Sequence, residues 1–461
     1  MTSTASEPAT GYRVYRYRWA VLGAFMFVNL TMQMLWIAYA PVTNRAARFY
    51  GATHLEIGLL AMVFMIVFIP MSIPAAWLID NKGLRKAVGG GALLMGVCGL
   101  ARGLAGHDYA GAMVATIGIA VAQPFLLNAW TKVPALWFAK NERATGVGLA
   151  TLANLVGIAA GEALTPILVK SLSIASVQLL YGSLAMASAL VFVAVVRDRP
   201  ATPPCDPESE TRALVLDGLR RSLRTRPFLV YLGVWFAGMG IFNGILTWID
   251  EIMSPRHFSS VVAGTVGALL LVGGIIGSVA IAPLSDRSGR RVRYMLIGLV
   301  CSMPMLVGVT FAGSLWLLYL TAFAFGFFLI SVAPIGMQYC AEVTLPAPEG
   351  TSQGLLQLAG QLSVVIVYLM TAMRGGHGSY TPALLFCLGL LVVAAGLVSR
   401  LHDPARPAAS ERRDDEPLDV GFEGGHLAPH AELLERLAGG LGGPIGGEIP
   451  VADPEEARTG A

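Results

Sequence analysis

Residues able to bind, titrate or recognise a charge sit in this chain inside runs that water would not reach. Glu162 lies in "GIAAGEALTPIL", directly after a Gly157-x-x-x-Gly161 pair that lets another helix approach closely. Desolvation there disfavours a charged carboxylate. Glu162 can therefore carry a proton, pair with a cationic solute, or form a structural ion pair with Lys132. Asn29, Gln33 and Trp36 share one helical face by their i, i+4, i+7 spacing. Asn243, Thr247 and Asp250 repeat the pattern later in the chain, and Gln357 and Gln361 form a third such face. Asn128 and Asn154 complete the set. Polar groups in lipid are costly and either line a cavity or bond to a neighbouring helix, and both readings stay open here. Asp250 is a second proton-coupling candidate. With Glu251 it reads as a solvated mouth residue or an attractor of cations.

Other chemistries find little support. No phosphate-binding glycine loop and no nucleophile-plus-base constellation is present, so an enzyme is not expected. The net charge is +3 and no basic stripe joins a soluble fold, which argues against nucleic acid. Five cysteines are scattered without a C-x-x-C pair. His54, His107, His257 and His377 fall at loops or helix ends and do not form a metal cluster, so no cofactor or metal is expected.

The elements that position these groups follow from hydropathy. The chain is 55% hydrophobic and 13% charged over 461 residues, against about 25% charged in a soluble domain. Apolar runs of about 20 residues span a bilayer. Twelve occur, at 19–41, 57–79, 87–105, 110–138, 145–169, 175–196, 227–250, 260–284, 294–312, 315–340, 353–373 and 380–400, which gives an all-α membrane protein. The first run reads as a span and not as a cleaved leader, because it is long and carries Asn29 and Gln33. Lys and Arg concentrate at alternate loops, which makes that side cytoplasmic and places both termini there, in the plasma (inner) membrane. The base-free loop 342–352 dissents mildly. The expected organisation is a cytoplasmic N-terminus (1–18), a six-helix bundle (19–196), a cytoplasmic linker (197–226) containing "RRSLRTRP", a second bundle (227–401) and a disordered tail (402–461).

The two bundles echo one another. Asp80-x-x-Gly83-x-Arg85-Lys86 and Asp286-x-x-Gly289-Arg290-Arg291 each follow the second run of their half. Glycine allows a tight turn of positive φ, and the acid at a helix end can hold the cations. Such duplication signals parallel repeats in a transporter. The pattern resembles the loop motif of the major facilitator superfamily, with Ala76 and Ala282 where that motif often begins with glycine. The resemblance implies the major facilitator fold, alternating access and a gating role for these residues.

Several further stretches resemble the feline leukaemia virus subgroup C receptor-related family of haem and choline transporters. They are "LWIAY" at 35–39, "IPMSIPAAWLIDNKGLR", "AQPFLLNAWTKVPALWF", "LANLVGIAAG" at 152–161 and "EVTLPAPEGTSQGLLQLAGQ" at 342–361. The resemblance covers residues 19 to 401. It implies an aromatic cage with glutamines around a quaternary ammonium, in which Trp36 and Gln361 match cage positions. It departs at Leu155 and Asn243, where the family carries a glutamine and an aromatic residue, and Trp248 is a substitute for the latter. The implied protein is a monomeric transporter in the lipid bilayer for a small cationic or zwitterionic, choline-like solute. The alternative is a proton-driven exporter of organic acids, haem-like compounds or drugs.

Overall fold

Twelve helices are long and apolar enough to cross a bilayer. The structure, a computed structural model, describes residues 15–139, 142–200, 202, 220–344, 349–375 and 378–403. Most of the linker, the tail from residue 404, Cys205 and His377 lie outside the described residues. The first six spanning helices are α1 (Arg18–Ile37), α2 (His54–Lys82), α3 (Leu84–Leu104), α4 (Tyr109–Leu127), α5 (Arg143–Leu168) and α6 (Ile174–Val195). The second six are α7 (Arg226–Thr247), α8 (Ser260–Ser288), α9 (Arg291–Phe311), α10 (Leu315–Val343), α11 (Glu349–Leu362, resumed after Ser363 as Val364–Ala372) and α12 (Thr381–Val398).

Two expected spans are shorter than their apolar runs. The run 110–138 breaks after Leu127, and a separate short helix, Lys132–Trp137, follows. Pro134 has no N–H to return to Trp130, so it fits the first turn of a new helix and not the interior of a continuous one. The run 227–250 ends at Thr247, and Trp248 leads into a short helix, Ile249–Met253. Asp250 therefore lies off the Asn243–Thr247 face with which its spacing grouped it.

Five helix starts at the end opposite the N-terminus are capped by side chains. Thr53 and Glu56 form a reciprocal box at α2, while Asp108, Ser173, Ser259 and Ser314 accept from backbone N–H groups at α4, α6, α8 and α10. Each cap contributes about 1 kcal/mol. Large apolar side chains cover the outside, with Ile73 75% and Trp316 78% exposed. That surface suits lipid and not water.

Glycines set the helix spacing. Gly99 of α3 lies against Gly182 of α6, so the two backbones nearly touch. Helices α1 to α6 pack together, as do α7 to α12, and the halves meet through α5 on α8 and α2 on α11. These two pairings exchange under the repeat that relates α2 to α8 and α5 to α11.

Candidate functional site

At the base-rich end, the two related loops turn through glycines with φ of +86° at Gly83 and +65° at Gly289. In the second copy Arg291 holds Asp286 and also Glu342, with Nη2 2.8 Å from Glu342 Oε1. The first copy differs. Asp80 pairs with Lys132, while the Arg85 backbone N–H donates to Asp198 Oδ1 at 2.7 Å and its guanidinium donates to Val193 O. Lys86 and Arg290 are exposed. Because Lys132 is engaged by Asp80, it does not form the structural pair with Glu162 that the sequence left open.

In the middle of the first half, Gln33 and Asn154 are brought together across α1 and α5. Gln33 Nε2 donates to Asn154 Oδ1 at 3.2 Å. The Trp36 indole N–H donates to Ala61 O of α2 at 3.2 Å, which fixes the ring on a buried face. Asn29 turns back to its own helix and donates to Phe25 O. Asn128 donates to Ser72 O at 2.8 Å, between Pro70 and Pro74 of α2. These last two are engaged in helix bonding.

In the second half, Asn243, Thr247 and Gln361 are buried and Gln357 is half-buried. None of the four forms a side-chain hydrogen bond among the described residues. The face of α7 that carries Asn243 also carries Met239 and Trp235, which meet Gly360 of α11. Trp235 was missed by sequence reading, although its i, i+4, i+8 spacing with Met239 and Asn243 was visible. Its indole N–H is buried without an acceptor among the described residues. Trp248, by contrast, is not a cavity aromatic. It is fully buried, donates to Val367 O at 2.9 Å and packs on Tyr380.

Arg102 of α3 was also missed, though a cation within an apolar run is a signal in itself. It is fully buried, donates to Leu35 O at 3.0 Å and lies 5.2 Å over the Tyr39 ring. The guanidinium thus faces the negative end of α1, next to Trp36, where it offsets the helix dipole.

The polar contacts between the halves gather at the end opposite the N-terminus. Asn44 donates twice to Asp250 Oδ2, each at 2.9 Å. Glu251 lies 3.2 Å from His54 Nδ1 and 3.1 Å from Arg374 Nη2, close enough to pair but without hydrogen-bond alignment. Asp250 and Glu251 are buried, not solvated as a mouth position would require, because the halves close over them. Burial pushes the Glu251 carboxyl up to about 7, with Arg374 opposing and Asp250 adding to the rise. Burial also raises Asp250, against the hydrogen bonds from Asn44.

Two glycine notches complete this closure. Gly58 of α2 receives the six-membered ring of Trp248, whose Cη2 lies 2.0 Å from where a Cβ would stand. On the other seam, Gly264 and Gly267 of α8 receive Glu162 of α5. The Gly157–Gly161 pair packs on α1 instead, against Leu30 O and Ile37. Glu162 is fully buried, and neither carboxyl oxygen has a hydrogen-bond partner among the described residues. Among the described residues no group of three metal-ligating side chains forms.

The profile of the Major Facilitator Superfamily matches residues 21–279 and 249–442. Solute carrier family 49 member A3 of Danio rerio is 31% identical over 79% of this chain and 80% of its own length. The human choline/ethanolamine transporter FLVCR2 is 27% identical over 86% of this chain and 79% of its own. Among solved structures, a bacterial homologue of the human lysosomal transporter Spinster, inward-facing and unoccupied, superposes with a TM-score of 0.68 at 15% identity. It covers 84% of this chain and 97% of that one, and it shows the shared fold.

Proposed function

The chain belongs to the Major Facilitator Superfamily and is a membrane transporter, and from that premise we propose that it moves a small cationic or zwitterionic, choline-like solute by alternating access. The observation that carries this reading is the pair of buried polar faces, one in each half. Gln33, Trp36 and Asn154 form the first, and Asn243, Gln357 and Gln361 the second. Unbonded amides at Asn243 and Gln361 are available to a solute, and an indole face attracts a quaternary ammonium. Relatives named as choline/ethanolamine transporters support the solute class. The base-rich end is cytoplasmic, the termini lie there, and the halves are the bundles 19–196 and 227–401 of a monomer in the plasma membrane. The duplicated loops brace that end through Asp80–Lys132 and Arg291–Asp286.

Uptake of labelled choline into proteoliposomes tests the reading. Wild-type protein is expected to give saturable uptake that falls in Trp36→Ala and in Gln361→Ala. Equal uptake in all three would remove these residues from the site. A second reading, proton-driven export of organic acids, haem-like compounds or drugs, is favoured by the unpartnered Glu162 carboxyl. It requires solute to accumulate against its gradient when a proton gradient is imposed, and to lose that in Glu162→Gln.

A further inference from the structure

We propose that Glu162 is a proton switch for the outer gate: closing the α5–α8 seam loads a proton onto it from the outer solution, and opening the seam returns that proton to the same side. The inference rests on the alternating-access reading above and assigns it a regulator.

The closed outer end encloses three carboxyl groups, Glu162, Asp250 and Glu251, all at most 3% exposed. One fixed cation faces them, Arg374, paired with Glu251. His54 stands between Glu251 and Arg374, with Nδ1 3.2 Å from Glu251 Oε1 and 3.3 Å from Arg374 Nη1. Asp250 is held by Asn44, and Tyr380 borders Glu251. Glu162 alone has neither ion pair nor hydrogen bond among the described residues. Gly264 faces its backbone carbonyl and the Pro166 ring, Gly267 faces its carboxyl, and Asp250 is near enough to act on its charge. An ionised carboxylate there is an unpaired buried charge next to a second acid, and such a group neutralises instead.

Location decides where the proton comes from. Glu162 lies in the last third of α5, towards the outer end, and Gly264 and Gly267 lie in the first third of α8 at the same end. Parting these helices exposes the carboxyl to the outer solution. With the seam closed, neither oxygen is accessible to solvent from either side of the membrane. The proton therefore leaves by the way it entered. Outer acidity holds the gate shut, and no proton is carried across. This separates a pH-regulated carrier from a proton-driven one.

The test reads the gate and not the cargo. Spin labels at Ser173→Cys and Ser314→Cys, in a background with native cysteines replaced, report the distance across the outer end in proteoliposomes. Outer and inner pH are varied separately above about pH 8, where Glu251 is ionised whether the outer end is open or closed and adds no slope of its own. One proton taken up per closure changes the closed-to-open ratio about tenfold per outer pH unit. Wild type is expected to approach that slope, and inner pH is expected to have no effect. Glu162→Gln, or Glu162→Leu should the first misfold, is expected to stay closed at every pH. An undiminished slope in these variants overturns the proposal, as does an equal response to inner pH. Gly58→Ala serves as a pH-independent opener. Distances that respond to it but not to pH overturn the switch alone. Distances that respond to neither overturn the alternating-access reading as well.

Discussion

Gly58→Ala is expected to hold the outer end open, and the structure sets the size of the effect. An added Cβ would lie 2.0, 2.6 and 2.8 Å from three carbons of the Trp248 ring. Ordinary contact needs about 3.5–4 Å, so the ring or the helix must retreat by roughly 1.5 Å. Trp248 cannot swing aside freely, because it is fully buried, bonded to Val367 O and packed on Tyr380. The strain therefore falls on the closed state, in which α2 and the segment after α7 touch. An open outer end separates them and carries no such strain. Overpacking of this kind costs about 1–3 kcal/mol, which shifts the open-to-closed ratio roughly 5- to 150-fold. Labelling of outer-end cysteines by an impermeant thiol reagent measures that ratio. Gly23→Ala is the control, since nothing lies within 4 Å of its added Cβ. Labelling rates equal to wild type in Gly58→Ala would refute the notch as a gate contact.

Other outcomes follow from the same geometry. Gly264→Ala places a Cβ 2.1 Å from the Glu162 carbonyl oxygen and should open the second seam in the same labelling assay. Trp36→Ala should raise the choline KM by about 2- to 30-fold, the range of a lost cation–π contact, and, because the ring is buried, also lower the melting temperature. Gly83→Ala forces a side chain into φ +86° and places its Cβ 2.5 Å from Asp198 Oδ1. The backbone strain alone costs about 1–2 kcal/mol, so a lower melting temperature is expected. Glu251 gives a pH signature. Its raised carboxyl penalises the closed fold above pH 7, and the penalty is relieved as pH falls from about 7 towards its ordinary 4.5. Wild type should therefore gain about 1.4 kcal/mol relative to Glu251→Gln between pH 8 and pH 6. A constant difference in stability across that range would show that Glu251 does not titrate there.

The helices and their repeat were legible because hydropathy and charge act locally. An apolar run of fixed length spans wherever it occurs, and the turns at Gly83 and Gly289 follow from the residue itself. The breaks at Asn128 and Trp248 were less visible, since both runs stay apolar across them. The gate was not legible at all. Nothing near Gly58 in sequence announces Trp248, and Gly264 and Gly267 are two glycines among 53. Their meaning lies in what the other half inserts between them. Lys132 could be matched to either of two acids by type, and only the packing of α2 beside the short helix chose Asp80. Asp250 and Glu251 looked solvated because chain position puts them at a helix end, while burial there is decided by the partner half.

The central claim, that a choline-like solute passes through a site built from both halves, is tested most directly by equilibrium exchange of labelled choline in proteoliposomes. With equal choline on both sides, the account predicts saturable exchange through wild-type protein that is strongly reduced in Trp36→Ala and in Gln361→Ala. Exchange no faster than in protein-free vesicles, for choline and ethanolamine alike, would contradict it.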